Sequence, residues 1–287
     1  MKFTKMQSAG NDYVLVETGG ANHDWSKLAL AVCDRHFGIG SDSLLLLMPS
    51  HKAQFKMRIF DTDGSEAEAC GNGIRSLAKY VFEKRLIDRK SDRISVETIV
   101  GVREIKLGKR DGKLIEIKAN MGQPVFSAES IPARLPDREN IVYIKGMVSY
   151  PVTVYGKTMN LNLVSMGNPH AVYFTEQPVA DFPMGQIGPE VENMHIFPNR
   201  TNFMVARVIN RNKLEARAWE RGVGETLACG SGSCAMVAAA QKLGYVGGEV
   251  EVKLPGGVLH VRWDGSGEVE LSGPAEIVFS GEWPDKE

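Results

Sequence analysis

Two segments of the sequence follow one pattern: EACGNGIRSLAKYV at residues 68–81 and LACGSGSCAMVAAA at residues 227–240. Each places a cysteine, Cys70 or Cys229, directly before a Gly-X-Gly stretch and then continues into residues that favour a helix. The offset between the two cysteines is 229 − 70 = 159 residues. A matched pair of this kind indicates that the chain contains an internal repeat.

A second pair of segments supports the repeat. SAGNDYVLV at residues 8–16 is echoed by SMGNPHAVY at residues 165–173, and Gly10 aligns with Gly167 at an offset of 167 − 10 = 157 residues. This offset is close to that of the cysteines, as a small change in one loop would produce. Two repeats are too few for a solenoid, so the sequence predicts two similar domains that face each other across a cleft.

Composition excludes several classes of function. The 287 residues, 43% of them hydrophobic, suffice for one large domain or two ordinary ones. The 34 Lys and Arg balance 35 Asp and Glu, so we expect no nucleic-acid partner. No apolar run has membrane-spanning or signal-peptide character, so we expect no membrane partner and a cytoplasmic location. Four cysteines are too few for a disulfide scaffold and fit reduced thiols.

The pattern of apolar segments predicts the fold class. Most of them are short, often alternate in polarity, and end at Gly, Asn or Asp, as strands do. Helix-favouring stretches occur at residues 27–33, 74–84 and 233–242. A doubly wound parallel sheet would need more helices between its strands, so the sequence predicts a strand-rich α+β protein.

Two clusters of turn-forming residues predict the domain boundaries. They lie near residues 121–124 and 271–274. We therefore expect an N-terminal domain over residues 1–121, a C-terminal domain over 122–273 that repeats the first, and a final segment, 274–287, that returns to the first domain.

The position of each cysteine suggests its chemistry. A helix N-terminus lowers the pKa of a nearby thiol, which makes the thiol useful as an acid or base. The backbone N–H groups of the same turn also form a cradle for an anion. The two predicted cradles consist of Gly71, Asn72 and Gly73 and of Gly230, Ser231 and Gly232. A substrate carboxylate held there would place its α-carbon near a thiol on either face, which predicts racemisation or epimerisation without a cofactor.

Other interpretations of the pair stay open. Cys70 and Cys229 could be buried core thiols, since free cysteine is often buried, or could form the switch disulfide of a non-catalytic redox or binding protein. A pyridoxal-phosphate enzyme is a further alternative. A metal site is disfavoured, because the chain has no C-x-x-C motif and its histidines are not clustered. Cys33 and Cys234 have no comparable context, and we interpret both as packing residues.

The motifs SAGNDYV, DGSEAEACGNGIR, SMGNPH, RTNF and WERGVGETLACGSG together closely resemble the diaminopimelate epimerase family of pyridoxal-phosphate-independent isomerases. The resemblance implies that each half is a β-barrel-like antiparallel or mixed sheet around a central helix. It implies epimerisation of LL-diaminopimelate to the meso form, for lysine and cell-wall synthesis, by a homodimer without cofactor or metal. In that direction Cys229 would accept a proton and Cys70 would donate one.

The same resemblance implies a set of substrate-binding residues. Amides of the GND, GNPH and RTN motifs would hydrogen-bond the substrate, the WERG pair would bind its distal ammonium and carboxylate, and the two cradles would hold an anion. The implied set is Asn11, Asn168, Asn202, Glu220, Arg221, Gly71, Asn72, Gly230 and Ser231. His170, which follows GNP, is interpreted as support for its loop.

Two positions depart from the family pattern. Asp61 stands where the family usually has an asparagine that contacts the distal group of the substrate, and Ser43 stands where many members have glutamine. A carboxylate at position 61 would favour a distal ammonium over a distal carboxylate. Asp61 is therefore included among the substrate-binding residues, and a racemase for another amino acid remains an alternative. A related isomerase with other acid/base groups is disfavoured by the two intact cysteines.

Overall fold

Short strands joined by tight turns make up most of the chain, as the alternating sequence predicts. The structure is a computed structural model, and the residues that it describes are 1–20, 23–67, 71–136 and 138–284. The strands are β1 (Lys2–Ser8), β2 (Asn11–Glu17), β3 (Ser43–Met48), β4 (Phe55–Asp61), β5 (Arg93–Thr98), β6 (Gly101–Arg110), β7 (Lys113–Asn120), β8 (Val142–Ile144), β9 (Met147–Val154), β10 (Lys157–Ser165), β11 (Pro169–Phe174), β12 (Asn202–Asn210), β13 (Lys213–Glu220), β14 (Gly224–Thr226), β15 (Glu249–Leu254), β16 (Gly257–Arg262), β17 (Glu270–Ser272) and β18 (Glu276–Glu282). The helices are α1 (Trp25–Cys33), α2 (Gly71–Glu83), α3 (Met184–Glu192) and α4 (Gly230–Leu243), with short 3₁₀ turns at Arg138–Asn140 and Val179–Asp181.

The chain divides into two compact units. Unit 1 contains Met1–Asn120 and Ser272–Glu287, and unit 2 contains Met121–Leu271. In unit 1 the strands pair in the order β18-β1-β2-β3-β4-β5-β6-β7, with parallel pairs at β2–β3 and β4–β5 and antiparallel pairs elsewhere. The C-terminal strand β18 therefore belongs to the sheet of unit 1. That the units act as two separate domains stays a prediction.

Unit 2 repeats the strand pairing of unit 1. Its strands pair in the order β8-β9-β10-β11-β12-β13-β15-β16, and the parallel pairs are β11–β12 and β13–β15. The run from β9 to β16 thus has the same sequence of parallel and antiparallel pairs as the run from β18 to β6. The short strand β14, which precedes α4 in the chain, pairs antiparallel with β13.

One helix in each unit is buried by the strands around it. Helix α2 contacts β1, β2, β3, β4, β7 and β18, and α4 contacts β10, β11, β12 and β16. Burial on almost every side of both helices is what a helix at the centre of a curved sheet requires. The mixed sheet with few helices confirms the predicted α+β class. Among the described residues, no helix combines the length and the hydropathy that crossing a membrane would need.

The helices differ from the sequence prediction in two respects. The central helices begin earlier than predicted, at Gly71 and Gly230, because the Gly-X-Gly stretch forms the first turn itself. Helix α3 was not predicted, since Gly185, Gly188 and Pro189 all disfavour a helix interior. Its buried side chains, which join the apolar core of unit 2, stabilise it despite these residues.

Candidate active site

Two tight turns place an asparagine at the same end of each sheet. Gly10, between β1 and β2, has φ of 88°, and Gly167, between β10 and β11, has φ of 92°. Glycine adopts this left-handed conformation without steric cost, which explains why both motifs read Gly-Asn. Asn11 then begins β2, and Asn168 directly precedes β11.

The thiol of Cys229 lies at the N-terminus of α4 and contacts a carboxylate. Cys229 is the N-cap residue, and its Sγ accepts a hydrogen bond from the backbone N–H of Gly232 at 3.3 Å. The same Sγ lies 3.3 Å from Oε2 of Glu220, to which the thiol donates. The residue is only 3% exposed. The predicted helix-terminus geometry is therefore present, together with an acid–base contact that the sequence did not predict.

Burial reverses the expected shift of the Cys229 pKa. The pKa is raised well above its usual value, first by desolvation and then by the negative charge of Glu220, whereas Ser231 and the Gly232 N–H lower it. The expectation that the helix N-terminus would lower the pKa of this thiol is therefore wrong. At neutral pH Cys229 carries its proton.

Ser231 connects Cys229 to two further side chains. Its hydroxyl lies 3.6 Å from the Cys229 Sγ, 3.1 Å from Nε2 of His170 and 3.5 Å from Nδ2 of Asn168. Burial lowers the pKa of His170 to about 4, so the imidazole is neutral at pH 7. The hydroxyl and the neutral ring can each donate or accept a hydrogen bond, so Ser231 links the Cys229 thiol to the segment that carries Asn168 and His170.

The segment around Glu220 and Arg221 is held by buried and partly buried hydrogen bonds. Oε1 of Glu220 accepts from the Thr226 hydroxyl at 2.6 Å. The Asn202 amide accepts from the backbone N–H of Arg221 at 2.9 Å and donates to the carbonyl of Pro169 at 3.0 Å. Asn202 therefore braces the turn against the loop that carries Asn168.

In unit 1, Asp61 contacts Ser43 on the neighbouring strand. Ser43 begins β3 and pairs in register with Asp61, the last residue of β4, and the Ser43 hydroxyl donates to Oδ1 of Asp61 at 2.8 Å. The pKa of Asp61 is raised, chiefly by burial. Helix α2 begins at Gly71, with Asn72 buried in its first turn. Cys70, the second predicted acid/base residue, lies outside the described residues.

Comparison with known proteins gives a consistent answer. The sequence profile described as diaminopimelate epimerase matches residues 3–127 and 162–278. A protein named diaminopimelate epimerase from Methanococcus maripaludis is 42% identical over 284 residues, covering 98% of this chain and 99% of the relative. One of the same name from Acetivibrio thermocellus is 44% identical, covering 98% of both. The chain belongs to the diaminopimelate epimerase family. The family predicted from the motifs is thereby confirmed.

Solved structures agree on the fold of this diaminopimelate epimerase family member. A probable proline racemase from Agrobacterium radiobacter has a TM-score of 0.72 at 13% identity, covering 99% of this chain and 93% of the other. A PhzF-family phenazine biosynthesis protein from Bacillus anthracis has a TM-score of 0.70 at 17% identity, covering 99% of both. At such identities the likeness supports the fold class alone.

The structure brings together most of the site residues that the epimerase resemblance implies for unit 2. Ser231 contacts Cys229 and Asn168, and Glu220 contacts Cys229. Gly230 begins the helix beside them, Asn202 braces the loop, and the Arg221 guanidinium donates to the Asn199 carbonyl at 3.1 Å. That these residues, and those of unit 1, bind substrate stays a prediction.

Sequence reasoning missed several residues that hold this part of the epimerase together. Glu192, on α3, accepts from the Trp219 indole at 2.7 Å and from the Gly222 N–H at 2.8 Å. Thr226 holds Glu220 through its hydroxyl. His170, by contrast, was interpreted from the sequence as support for its loop, and it contacts the Ser231 hydroxyl. Glu192 lies on a helix that the sequence did not predict.

Proposed function

We propose that this chain is an isomerase that epimerises LL-2,6-diaminopimelate to meso-diaminopimelate without a cofactor, for lysine and peptidoglycan precursor synthesis. The observation that carries the proposal is the buried Cys229 thiol at the N-terminus of α4, 3.3 Å from a carboxylate, in a chain of the diaminopimelate epimerase family. Cys70, at the matching point of the repeated motif, supplies the second thiol.

The contact with Glu220 accounts for the first proton transfer. Because Cys229 is protonated at rest, it must lose its proton before it can accept one from the substrate. Glu220 takes the Sγ–H proton, and the resulting thiolate removes the α-hydrogen of the LL-substrate. The Cys70 thiol then donates its proton to the opposite face of the same carbon. The cycle leaves Cys229 protonated and Cys70 as the thiolate, and a proton returned from Glu220 through solvent to Cys70 restores the enzyme.

The first turn of α4 stabilises the charge that develops. When the α-hydrogen leaves as a proton, electron density moves into the adjacent carboxylate, and N–H groups aimed at that carboxylate stabilise it most in the transition state. The N–H groups of Gly230 and Ser231 lie at this helix N-terminus, where the helix dipole favours negative charge. Those of Gly71 and Asn72 begin α2 in the same way. This arrangement supports carbanion-like chemistry without an electron sink.

A second candidate function is racemisation of an amino acid with a cationic side-chain end. It is favoured by Asp61, because among the described residues no cation forms an ion pair with this half-buried carboxylate. A substrate ammonium would supply the missing charge. Diaminopimelate also carries a distal ammonium, so the two candidates differ in whether a distal carboxylate is required. Comparing turnover of LL-diaminopimelate with that of L-lysine separates them.

The proposal extends to the state of the enzyme in the cell. We expect a homodimer in the cytoplasm, on the basis of the family resemblance and of a reaction that needs reduced thiols. Sedimentation of the purified protein under reducing conditions tests the dimer, and a monomer that is fully active would contradict it.

Chiral separation of the products tests the proposed reaction directly. Purified protein, reduced and without added cofactor, should convert LL-diaminopimelate to a mixture with the meso form. Cys229→Ala and Cys70→Ala should each abolish the conversion, whereas Cys234→Ala, which changes a buried thiol outside the site, should not. Conversion that survives loss of Cys229 would rule out the two-thiol mechanism.

A further inference from the structure

The side chain of Arg75 is entirely buried beneath the first turn of α2. It is 0% exposed and is the largest fully buried side chain among the described residues. Its guanidinium donates to the carbonyl oxygen of Gly71 at 3.1 Å and to the side-chain oxygen of Asn72. Both acceptors belong to the turn whose N–H groups form the proposed carboxylate cradle of unit 1.

The same guanidinium reaches the segment that leads to Asn11. Nη2 of Arg75 donates to the hydroxyl of Ser8 at 2.9 Å, and that hydroxyl donates to the carbonyl of Pro274 at 2.7 Å. Arginine has only donors, so the Asn72 amide must present its oxygen to Arg75. The cation therefore fixes the direction of each of these hydrogen bonds. They link α2 to β1 and to the segment around Pro274 that precedes β18.

In unit 2 the residue that corresponds to Asn72 is contacted by a histidine from a strand, not by an arginine from the central helix. At the offset of 159 residues, Asn72 corresponds to Ser231 and Arg75 to Cys234. Ser231 is contacted by His170, from β11, whose lowered pKa leaves it neutral at pH 7. Unit 1 thus has a permanent cation behind the first turn of its central helix, and unit 2 has a neutral ring.

We propose that Arg75 is a positioning residue for substrate binding in unit 1, where its buried charge strengthens the hold of the first turn of α2 on a substrate carboxylate. This inference rests on the proposed function. Arg75 acts without touching the substrate: it anchors the turn through Gly71 and Asn72, and its charge adds to the positive end of the helix dipole. Low polarity around a buried guanidinium makes such a charge effective over a longer distance than in water.

Substitutions that separate charge from hydrogen bonding test the proposal. Arg75→Met removes the charge and should raise KM for LL-diaminopimelate about tenfold or more. It should also lower kcat, because the cradle holds the carboxylate more strongly in the transition state than in the bound substrate. Arg75→Lys keeps the charge but loses the planar guanidinium that donates several hydrogen bonds at once. It should keep KM within about threefold of wild type. Ser8→Ala removes one hydrogen bond without changing charge and should behave like Arg75→Lys. Thermal midpoints are recorded for each variant.

A variant that leaves Arg75 in place protects the test against misfolding. Asn72→Asp sets an anion against the guanidinium, so it neutralises the charge while retaining the contact. It should raise KM about tenfold, with an undiminished thermal midpoint. Cys234→Ala, at the corresponding position of α4, is the matched control and should leave KM unchanged.

Three results would overturn the inference. The first is an unchanged KM in Asn72→Asp, and the second is a KM in Arg75→Lys as high as in Arg75→Met. The third is a change in KM that follows the thermal midpoint rather than the charge, which would make Arg75 a purely structural residue. If the wild-type protein does not turn over diaminopimelate at all, the proposed function fails and the inference fails with it.

Discussion

The Cys229 thiol experiences two opposing influences within a few ångströms. The Gly232 N–H stabilises a thiolate, whereas burial and the adjacent Glu220 carboxylate stabilise the thiol. Burial and the Glu220 charge outweigh the Gly232 N–H, so Cys229 is protonated. It can donate a proton as it stands, but it needs a base before it can accept one. Glu220 is the base within reach. Its contact with the thiol supports a role as base in addition to the distal-end binding that the family resemblance implies.

Glu220→Gln tests this assignment. Loss of the base should lower kcat for epimerisation about a hundredfold, the usual range for a general base. It should also lower the pKa of Cys229, because the negative charge that raises this pKa is gone. Thiolate absorbance in the ultraviolet, compared with that of a Cys229→Ala variant, reports the pKa. Glu225→Gln is the control, since Glu225 forms an ion pair with Arg217 instead. Full activity in Glu220→Gln would contradict the assignment.

His170 should make the folded chain sensitive to mild acid. Burial lowers the pKa of His170 to about 4, from 6.5 for the unperturbed group. Between pH 6.5 and about pH 4, His170 therefore binds a proton in the unfolded chain but not in the folded chain. The free energy of unfolding falls as the pH drops through this range. Near pH 4 the loss should reach about 3 kcal/mol of unfolding free energy relative to pH 7.

Urea unfolding at a series of pH values measures this effect. His170→Gln has no proton to take up, so its stability should decline less than that of the wild type between neutral pH and about pH 4. The two pH dependences are compared by their difference, because the substitution also changes packing. Parallel declines in the two proteins would show that His170 is not held neutral.

Asp61 should weaken the binding of a substrate with a distal carboxylate. Its burial beside Ser43 keeps the charge poorly solvated, so an anionic group nearby is repelled. We expect Asp61→Asn to raise kcat/KM for LL-diaminopimelate about tenfold, which corresponds to one modest electrostatic interaction. Asp63→Asn, in the same turn but with its carboxylate bonded to Ser65, should have no effect. A fall in kcat/KM in Asp61→Asn would contradict this interpretation.

At the level of single residues, the sequence motifs predicted which residues belong to the candidate site better than they predicted what those residues contact. The sequence located Cys229, Ser231 and Glu220 because repeated glycines and the WERG motif mark their places. It could not show that Glu220 contacts the thiol, because that contact joins the end of β13 to the start of α4. The predicted direction of the Cys229 pKa shift was wrong for a related reason. The shift is dominated by burial, and burial depends on the whole core rather than on the local turn.

Among the secondary-structure elements, helix α3 shows the limit of prediction. Its sequence, MGQIGPEVE, contains two glycines and a proline, so local propensity opposes a helix. Tertiary packing explains why it forms. A Cβ atom at Gly188 would lie 2.5 Å from the Trp219 ring, which shows how closely the helix approaches β13. By contrast, the central helices α2 and α4 were predictable from helix-favouring residues that follow a Gly-X-Gly turn.

The two glycines of α3 should respond oppositely to alanine. Gly188→Ala forces the helix away from Trp219 and should cost about 1–3 kcal/mol of unfolding free energy, as overpacking does. A Cβ atom at Gly185 would meet nothing within 4 Å, so Gly185→Ala should be neutral or should stabilise by up to about 1 kcal/mol through helix propensity. Urea denaturation measures both. Equal effects at the two positions would show that close packing on Trp219 is not the reason for Gly188.

Across the whole molecule, the repeat visible in the sequence corresponds to a repeated strand order. The offsets of 159 and 157 residues connect helices and turns that occupy the same places in units 1 and 2. The return of the chain was also foreseeable from the turn near residue 274, and β18 pairs with β1. The pairing of the strands could not be predicted from the sequence. Parallel pairs such as β2–β3 join segments that are far apart in the sequence, and they leave no local signature.

The proposed mechanism depends above all on two thiols that act on opposite faces of one carbon. The decisive experiment is proton NMR of the reduced protein with LL-diaminopimelate in D2O, without added cofactor, at early times. We expect meso-diaminopimelate with deuterium at one α-carbon, while the remaining LL-substrate keeps its hydrogen, because the base that removes hydrogen is not the acid that delivers deuterium. Meso product that retains the original α-hydrogen, or no exchange from a folded and fully reduced protein, would contradict this mechanism.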